Sequence, residues 1–424
     1  MAKRTRRNRR AEHHAASHAE AAAPEAIPEH PDIPGGEPVM VTTDEQLNAA
    51  VDAIQEEGCF AYDTEFIGES TYIPKLCLIQ LATRSTLWLV DPFQLQSLKP
   101  IWSLIADPEI TTIVHAGAQD LEPVERHIGR TPAQIVDTQI AAGFMNLPYP
   151  VSLARLVFEV TGWTVPKGMT FTDWSKRPLS NMQLRYAADD VRYLPLVWDR
   201  MQEQLATFGH LDLVFEECAA ACQPGAFLPD LEKQCRKIHR RNPMRRGQWN
   251  RLHHLMALRD ECAREADLPP RTLIPDGCLS DLARRNPTSI DALRQLKGMP
   301  RPTVDRHGEA ILQRLAREDD AHIPDRPQKL PEETAVMRVQ IDAIWSAISS
   351  WCMCHSIAPA LVGTRNSIAE WIGTGGLQDH GHGPWPHGWR REIAGDFLLR
   401  FLRSECTLPM QWKDGRLIEP NDQN

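Results

Sequence analysis

The sequence predicts an α/β domain, a mixed sheet flanked by helices, followed by two all-helical segments. Three observations carry this. Between about residues 38 and 222, strand-like runs first follow one another through short connectors. They then alternate with helical runs, the order of a meander extended by parallel strands. From 243 to about 320, and from 333 to 408, apolar residues recur only at helical spacing. Pro-rich breaks separate the parts, "CQPGAFLPD" from Cys222 and "DAHIPDRPQKLPE" from Asp320. A chain of 424 residues is long enough for several domains.

Residues 1–37 open with the basic run "MAKRTRRNRR" and continue rich in Ala, Glu, His and Pro. They lack apolar periodicity and are expected to be a disordered basic tail. Glu12, Glu20 and Glu25 count against a transit peptide. "TTDEQLNAAVDAIQEEG" carries Thr/Asp capping signals and then an amphipathic pattern, hence a helix. "CFAYDTEF", "KLCLIQLAT" and "TLWLVDP" read as three strands of an antiparallel meander. "ITTIVHAG" and "QIVDT" read as further strands, with a helix from about Gln119 between them. "SNMQLRYAADDVRYLPLVWDRMQEQLATFG" reads as one long helix, capped by Ser180 or Asn181 and ended by Gly209. The domain spans 38–222. Residues 223–242 are expected to link it to a helical domain at 243–320. A Pro-rich linker at 321–332, a second helical domain at 333–408 and a tail at 409–424 follow.

No stretch approaches the roughly 18 apolar residues of a membrane span, and no signal-peptide pattern is present. Ten cysteines without regular spacing read as reduced thiols of a cytoplasmic protein. The net charge of −9 alone argues against nucleic acid. It conceals a second basic run, "KQCRKIHRRNPMRRGQWNR", with Arg236, Lys237, Arg240, Arg241, Arg245 and Arg246. Such patches are what phosphates meet, although a solvated linker would look the same.

The chemistry concentrates at three places. In "YDTEF", Asp63 and Glu65 point to one side of a strand and repel each other unless a cation lies between them. In "HAGAQDLE", Asp120 follows a strand near a helix start. In "RYAADDVRYL", Tyr186 and Asp190 share one helical face at i and i+4, with Asp189 a rival at i+3. Each alone has an ordinary explanation: a turn, an N-cap, a surface hydrogen bond. Asp137 in "VDTQ" reads as an N-cap close to the site. Lys176 and Arg177 in "DWSKRPLS" either touch a substrate backbone or sit on a solvated turn. "WCMCH", with His380, His382 and His387, invites zinc, but Cys-x-Cys is tighter than the usual spacing. A helix end plus a Gly/Pro-rich loop explains it better.

The order Asp-x-Glu, Asp, Tyr-x-x-x-Asp resembles the DEDD superfamily of 3′–5′ exonucleases in its tyrosine subclass. A second subclass has histidine five residues before the last aspartate, where this chain has Arg185. The words "YDTEF", "LIQLAT", "HAGAQDLE", "VDTQIAA" and "DWSKRPLSNMQLRYAADDVRYL" are similar to the ribonuclease D family over about residues 40 to 210. Residues 243–320 resemble an HRDC domain, and the last helical segment resembles a second one only loosely.

The resemblance implies a ribonuclease H-like exonuclease domain followed by two HRDC-like helical domains. It implies that Asp63, Glu65, Asp120 and Asp190, rather than Asp189, bind metal, and that Tyr186 is catalytic. Oxygen ligands suit Mg²⁺ or Mn²⁺. Two such ions, ~4 Å apart, would hold the attacking and leaving oxygens of an in-line displacement. On that pattern Asp63 bridges, Glu65 and Asp190 serve the first ion, Asp120 the second, and Tyr186 orients the water. The implied activity is 3′-end trimming of RNA, chiefly tRNA precursors, by a monomer releasing nucleoside 5′-monophosphates. Two readings compete: a DNA-directed exonuclease, and an inactive RNA-binding protein on the same scaffold. All five site positions are intact, which argues against the second.

Overall fold

The structure is a computed structural model. It describes residues 30–68, 70–165, 172–317, 322–327, 332–377, 383–385, 387–408, 411–413 and 416–418. The exonuclease-like part is built on six strands: β1 (Val39–Val41), β2 (Cys59–Ile67), β3 (Lys75–Ala82), β4 (Leu87–Val90), β5 (Thr111–Val114) and β6 (Ile135–Asp137). Their order in the sheet is β1-β4-β3-β2-β5-β6. β2, β3 and β4 form the antiparallel meander, and β5 and β6 add in parallel beside β2. β1, pairing parallel to β4, is an addition; three residues are too short for a periodic signal.

Strand alternation sends the apolar side chains into two cores. On one face Phe60, Tyr62, Ile79, Leu81 and Val90 pack under α1 (Asp44–Glu57) and α2 (Lys99–Ile105). On the other face Ala61, Leu78, Ala82, Leu89 and Ile113 are covered by later helices. α3 (Glu122–Ile128) packs beside α2 in the first core, through Val124. The second face is covered by α4 (Thr138–Ala142) and α5 (Leu153–Thr161), then α6 (Asn181–Arg192), α7 (Leu194–Phe208) and α8 (Leu211–Ala221). Ala187, Ala188 and Val191 of α6 and Val197 and Met201 of α7 belong to this second core.

Three expectations need correction. The long helix of 180–209 breaks at Tyr193 into α6 and α7. Pro195 causes this: it lacks an N–H and is tolerated only in a first turn. The linker of 223–242 contains helix α9 (Leu231–Arg241), whose Cys235 and Ile238 join the helical module's core. The tail expected to end at 37 is ordered from residue 30: Ile33 is buried, and the Pro34 carbonyl accepts from the buried Arg192 guanidinium. A buried guanidinium needs acceptors, and this strand of chain supplies them. Residues 1–29 lie outside the described residues. The tail of 409–424 contains a short hairpin, β7 (Gln411–Lys413) with β8 (Arg416–Ile418).

The first helical module comprises α9, α10 (Arg246–Ala266), α11 (Pro270–Leu273), α12 (Asp276–Arg285), α13 (Ile290–Arg294) and α14 (Arg301–Leu315) around Trp249, Leu252, Leu255, Leu279 and Ile311. The Pro-rich linker lies along it: Trp249 Nε1 donates to the Pro324 carbonyl at 2.9 Å. The last segment holds α15 (Ala335–Cys354), α16 (Pro359–Val362) and α17 (Arg365–Gly373). It ends in α18 (Gly388–Arg390), a π-helical turn at Arg391–Gly395 and α19 (Asp396–Leu402). Its Ile341, Ile348, Trp351, Leu361 and Trp389 share one core with the exonuclease-like part. Arg390 clasps Glu217 of α8 through two bonds of 2.6 and 2.7 Å. Gly143 lets this seam close tightly: a Cβ there would meet the Leu361 side chain at 2.4 Å and force it to shift. Cys352 is buried in the same core and His355 stacks on Trp351 at 4.2 Å. His380 and His382 lie outside the described residues.

A shared core predicts shared unfolding. Trp389 is buried, 5.0 Å from Phe144 and bonded through Nε1 to Glu217 at 2.9 Å. Trp389→Ala should destabilise the exonuclease part by about 3–5 kcal/mol. Guanidinium unfolding of the full chain checks this. Sheet structure surviving past the loss of the C-terminal helices would show two separate cores.

Candidate active site

The acidic residues collect where β2 and β5 end. Asp63 and Glu65 lie on β2 past the point where β5 stops pairing with it. The register with β3 shifts after Glu65, a bulge that bends the strand there. After β5 the chain turns sharply. Ala116 takes a left-handed φ of 58°, and a Cβ at Gly117 would meet Val114 at 2.5 Å. That tight loop delivers Asp120, whose N–H closes onto the Gly117 carbonyl at 3.1 Å.

Sequence reasoning missed the residues that pin this loop. Tyr62, buried on the opposite face of β2, donates its hydroxyl to the Asp120 carbonyl at 2.9 Å. Thr64 donates its hydroxyl to the Asp120 carboxylate. Their alternation with Asp63 and Glu65 was the available signal. Asp137 caps α4 through the Gln139 N–H and also accepts from Ala116 N–H, both at 2.9 Å, so it braces the loop from below. His115 is held between Thr138 and the Val151 carbonyl, each at 3.0 Å.

From the other side comes α6, whose start is fixed by a capping box between Ser180 and Gln183. It presents Tyr186 and Asp190 together, with the Tyr186 hydroxyl donating to Asp190. The Tyr186 ring also leans on buried Trp174, centroids 6.1 Å apart. Asp189 faces elsewhere. It is buried between Arg185 Nε at 2.6 Å and Arg192 Nε at 3.1 Å.

The electrostatics follow from this crowding. Burial raises the Asp63 carboxyl well above its ordinary range, and Asp120, Asp190 and Glu65 push it further. Burial, then Asp190 and Asp120, raises Glu65 to about 8. Burial raises Asp190 to about 7 and Asp120 to about 6, the latter despite its bond from Thr64. Burial also lifts the Tyr186 phenol, followed by Asp190 and Glu65. No basic side chain figures among the causes for any of the four carboxylates. Hard oxygen donors, desolvated and without a counter-charge, are the donor set a divalent cation requires. Among the described residues, no three such side chains are yet closed around one metal-sized point. Asp120 is turned to Thr64 instead.

The expected RNA contacts divide. Arg177 is corrected: its guanidinium binds Asp91 at 2.7 and 2.9 Å and the carbonyls of Cys77 and Trp174, so it is a structural anchor. Lys176 is exposed, 3.4 Å from Asp173. Lys237, Arg240 and Arg241 are exposed on α9, opposite its buried Cys235 and Ile238. Arg236 pairs with Glu232 and Arg246 with Asp325, while Arg245 is exposed at the start of α10.

Comparison with known proteins identifies what the chain is similar to. The 3′–5′ exonuclease family model matches residues 38–206, and the HRDC domain model matches residues 248–315. Ribonuclease D of Gluconacetobacter diazotrophicus is 33% identical over 387 residues, 90% of this chain and 94% of that protein. Ribonuclease D of Escherichia coli K12 is 30% identical over 379 residues, 86% of this chain and 98% of that one. The crystal structure of Escherichia coli RNase D, an exoribonuclease involved in structured RNA processing, superposes with a TM-score of 0.73 at 30% identity. That match covers 88% of this chain and 100% of the other. The catalytic core of RRP6 from Trypanosoma brucei shares the fold, at 23% identity and a TM-score of 0.53, covering 68% of this chain and 82% of that one. With an exonuclease-family sheet, a matched HRDC module and this likeness over nine-tenths of its length, the chain belongs to the ribonuclease D family of 3′–5′ exoribonucleases.

Proposed function

We propose that this protein removes nucleotides from the 3′ end of tRNA precursors and other structured RNAs by metal-dependent hydrolysis, releasing nucleoside 5′-monophosphates. The observation that carries this is the cluster of Asp63, Glu65, Asp120 and Asp190, buried beside Tyr186 without a basic partner. Asp63, Glu65, Asp120 and Asp190 would hold two divalent ions, Mg²⁺ or Mn²⁺. Such ions lower the pKa of the attacking water and stabilise the leaving 3′-oxygen. Thr64 and Tyr62 hold Asp120 in place, and α6 sets Asp190 beside Tyr186. Tyr186 orients the attacking water through its hydroxyl. Its raised pKa keeps the phenol protonated, so it positions rather than abstracts a proton. The exposed Lys237, Arg240 and Arg241 of α9 supply grip on the RNA backbone. Among the described residues no helix is long and apolar enough to cross a membrane. Incubation with 3′-extended tRNA and with matched single-stranded DNA, with and without Mn²⁺, tests the reading. Preference for the DNA would replace RNA as the substrate, and metal-independent cleavage would remove the ions.

Asp63→Asn and Asp190→Asn should each lower turnover by orders of magnitude while the fold remains. Tyr186→Phe should lower turnover less, with little change in RNA affinity. Asp189→Asn should melt earlier yet keep its turnover, because that carboxylate ties Arg185 to Arg192. Normal activity in either of the first two variants removes the site assignment.

The raised carboxyls set a pH dependence for the metal-free protein. A carboxyl whose folded pKa lies above its unfolded value favours the fold at low pH, and that advantage is lost as pH rises through the folded value. With Asp120, Asp190 and Glu65 raised from ordinary values of 3.8, 3.8 and 4.5 to about 6, 7 and 8, melting temperature should fall from about pH 4, where the unfolded carboxyls ionise, to about pH 8, where the last folded one does. Added Mn²⁺ should reverse most of the loss at the upper end. A flat profile, equal with and without Mn²⁺, would mean that the cluster ionises freely.

Lys237→Glu, Arg240→Glu and Arg241→Glu together should weaken tRNA binding and leave cleavage of short single strands intact. Each lost phosphate contact should flatten the log–log salt dependence by about 0.7–0.9. Unchanged affinity and slope would make α9 a solvated face.

A further inference from the structure

Gln80 is a polar residue to which neither the fold nor the proposed chemistry gives a task. It lies in the middle of β3 and is fully buried, and neither Nε2 nor Oε1 has a hydrogen-bond partner. Its register sets it directly opposite Asp63 on β2 and Leu89 on β4. Its neighbours Ile79 and Leu81 point into the core beneath α1 and α2. Gln80 therefore points the other way, to the face of Leu78 and Ala82, which α6 covers. Directly opposed residues of an antiparallel pair project to the same side with Cβ atoms ~4.5–5.5 Å apart. A glutamine side chain spans that gap.

A buried carboxamide with both ends unmet is destabilising, and a leucine or methionine would fill the same space without that penalty. Such an unsatisfied group asks for a partner within reach of a small side-chain rotation. The α6 residues in the core on this face include Ala187 and Ala188. Its nearest charged neighbour by register is Asp63. A carboxylate that binds a cation through one oxygen has its other lone pairs free to accept an N–H, and such outer bonds fix the ligand's rotamer.

We infer that Gln80 is a positioning residue whose Nε2–H donates to the Asp63 carboxylate and fixes its orientation in the ion-loaded site. The inference rests on the reading of Asp63 as a metal ligand. Gln80 touches neither RNA nor the reacting atoms. It acts through Asp63, so its loss should alter turnover and ion affinity but leave the KM for RNA unchanged.

The test uses full-length Gln80→Leu and Gln80→Met, with Asp63→Asn alongside. Without metal, both Gln80 variants should melt at or above the wild-type temperature, because an unmet amide has been removed. On 3′-extended RNA their kcat should fall about 10–100-fold with KM unchanged, and calorimetry should show weaker Mn²⁺ binding. Wild-type kcat and Mn²⁺ affinity would overturn the inference. So would earlier melting, or failure of both variants to fold, since either would make the amide a satisfied structural member. The two readings fail separately. Activity retained in Asp63→Asn removes the site assignment, whereas an inactive Asp63→Asn beside a normal Gln80→Leu removes only the role of Gln80.

Discussion

Repulsion among Asp63, Glu65, Asp120 and Asp190 is the constraint on which the rest depends. At an effective dielectric near 20, two like charges ~5 Å apart repel by about 3 kcal/mol. Several such pairs rival the ~5–15 kcal/mol net stability of a domain. The cluster therefore persists at neutral pH only if its members keep protons or share a cation. The raised pKa values express the first solution, and the donor chemistry suits the second. The surroundings are arranged to hold the carboxylates against that repulsion. Tyr62 and Thr64 tie the Asp120 loop to β2, Asp137 braces it through Ala116, and the Ser180 cap fixes where α6 begins.

The same constraint explains where the nearby guanidinium groups are spent. Arg177 is bound by Asp91, and Arg185 and Arg192 by Asp189. Each arginine close in sequence to the site residues is thus paired with a carboxylate outside the cluster. A free arginine among the four acids would neutralise them and compete with a cation. Asp189 is next to Asp190 in sequence and does the reverse of its neighbour: it absorbs positive charge so that none reaches the site.

Much of this was legible in the sequence. "YDTEF" put two carboxylates on one strand face, and the meander, the parallel additions and a helix cap at Ser180 or Asn181 followed from local patterns; the structure selects Ser180. Spacing alone could not separate Asp190 from Asp189, because i+3 and i+4 are nearly equivalent on a helix. The choice came from the family pattern, and the ion pairs of Asp189 show the physical difference. Misreadings occurred where the partner is distant. Arg177 is a phosphate candidate until Asp91, 86 residues away, takes its guanidinium. The segment before Asn242 looked like a linker because its charge hides two buried positions, Cys235 and Ile238. Gln80 sat in an apolar run, and only the register revealed its neighbour.

The helical parts are joined to the site more closely than linkers would join them. The turn after β2, the strand that carries Asp63 and Glu65, ends in Tyr72. Its hydroxyl donates to Asp260 of α10 at 2.8 Å and its N–H to Asp267 at 3.1 Å, and Arg264 lies over its ring. On the other side, Arg390 and Trp389 fasten the last segment to α8 through Glu217. The acid-bearing strand is thus continuous, through one turn, with the module that displays the basic face of α9. The distance from that face to the carboxylates is set by packed side chains. A tether of 20 free residues would instead let that distance fluctuate by roughly 25 Å. The exonuclease part alone would lose this fixed reference and would also lose the last segment's share of its second core, among it Ile341, Ile348, Trp351 and Trp389. Its acidic cluster would remain in sequence, but neither the fixed distance to the basic face of α9 nor the stability of the sheet that carries the cluster would be preserved.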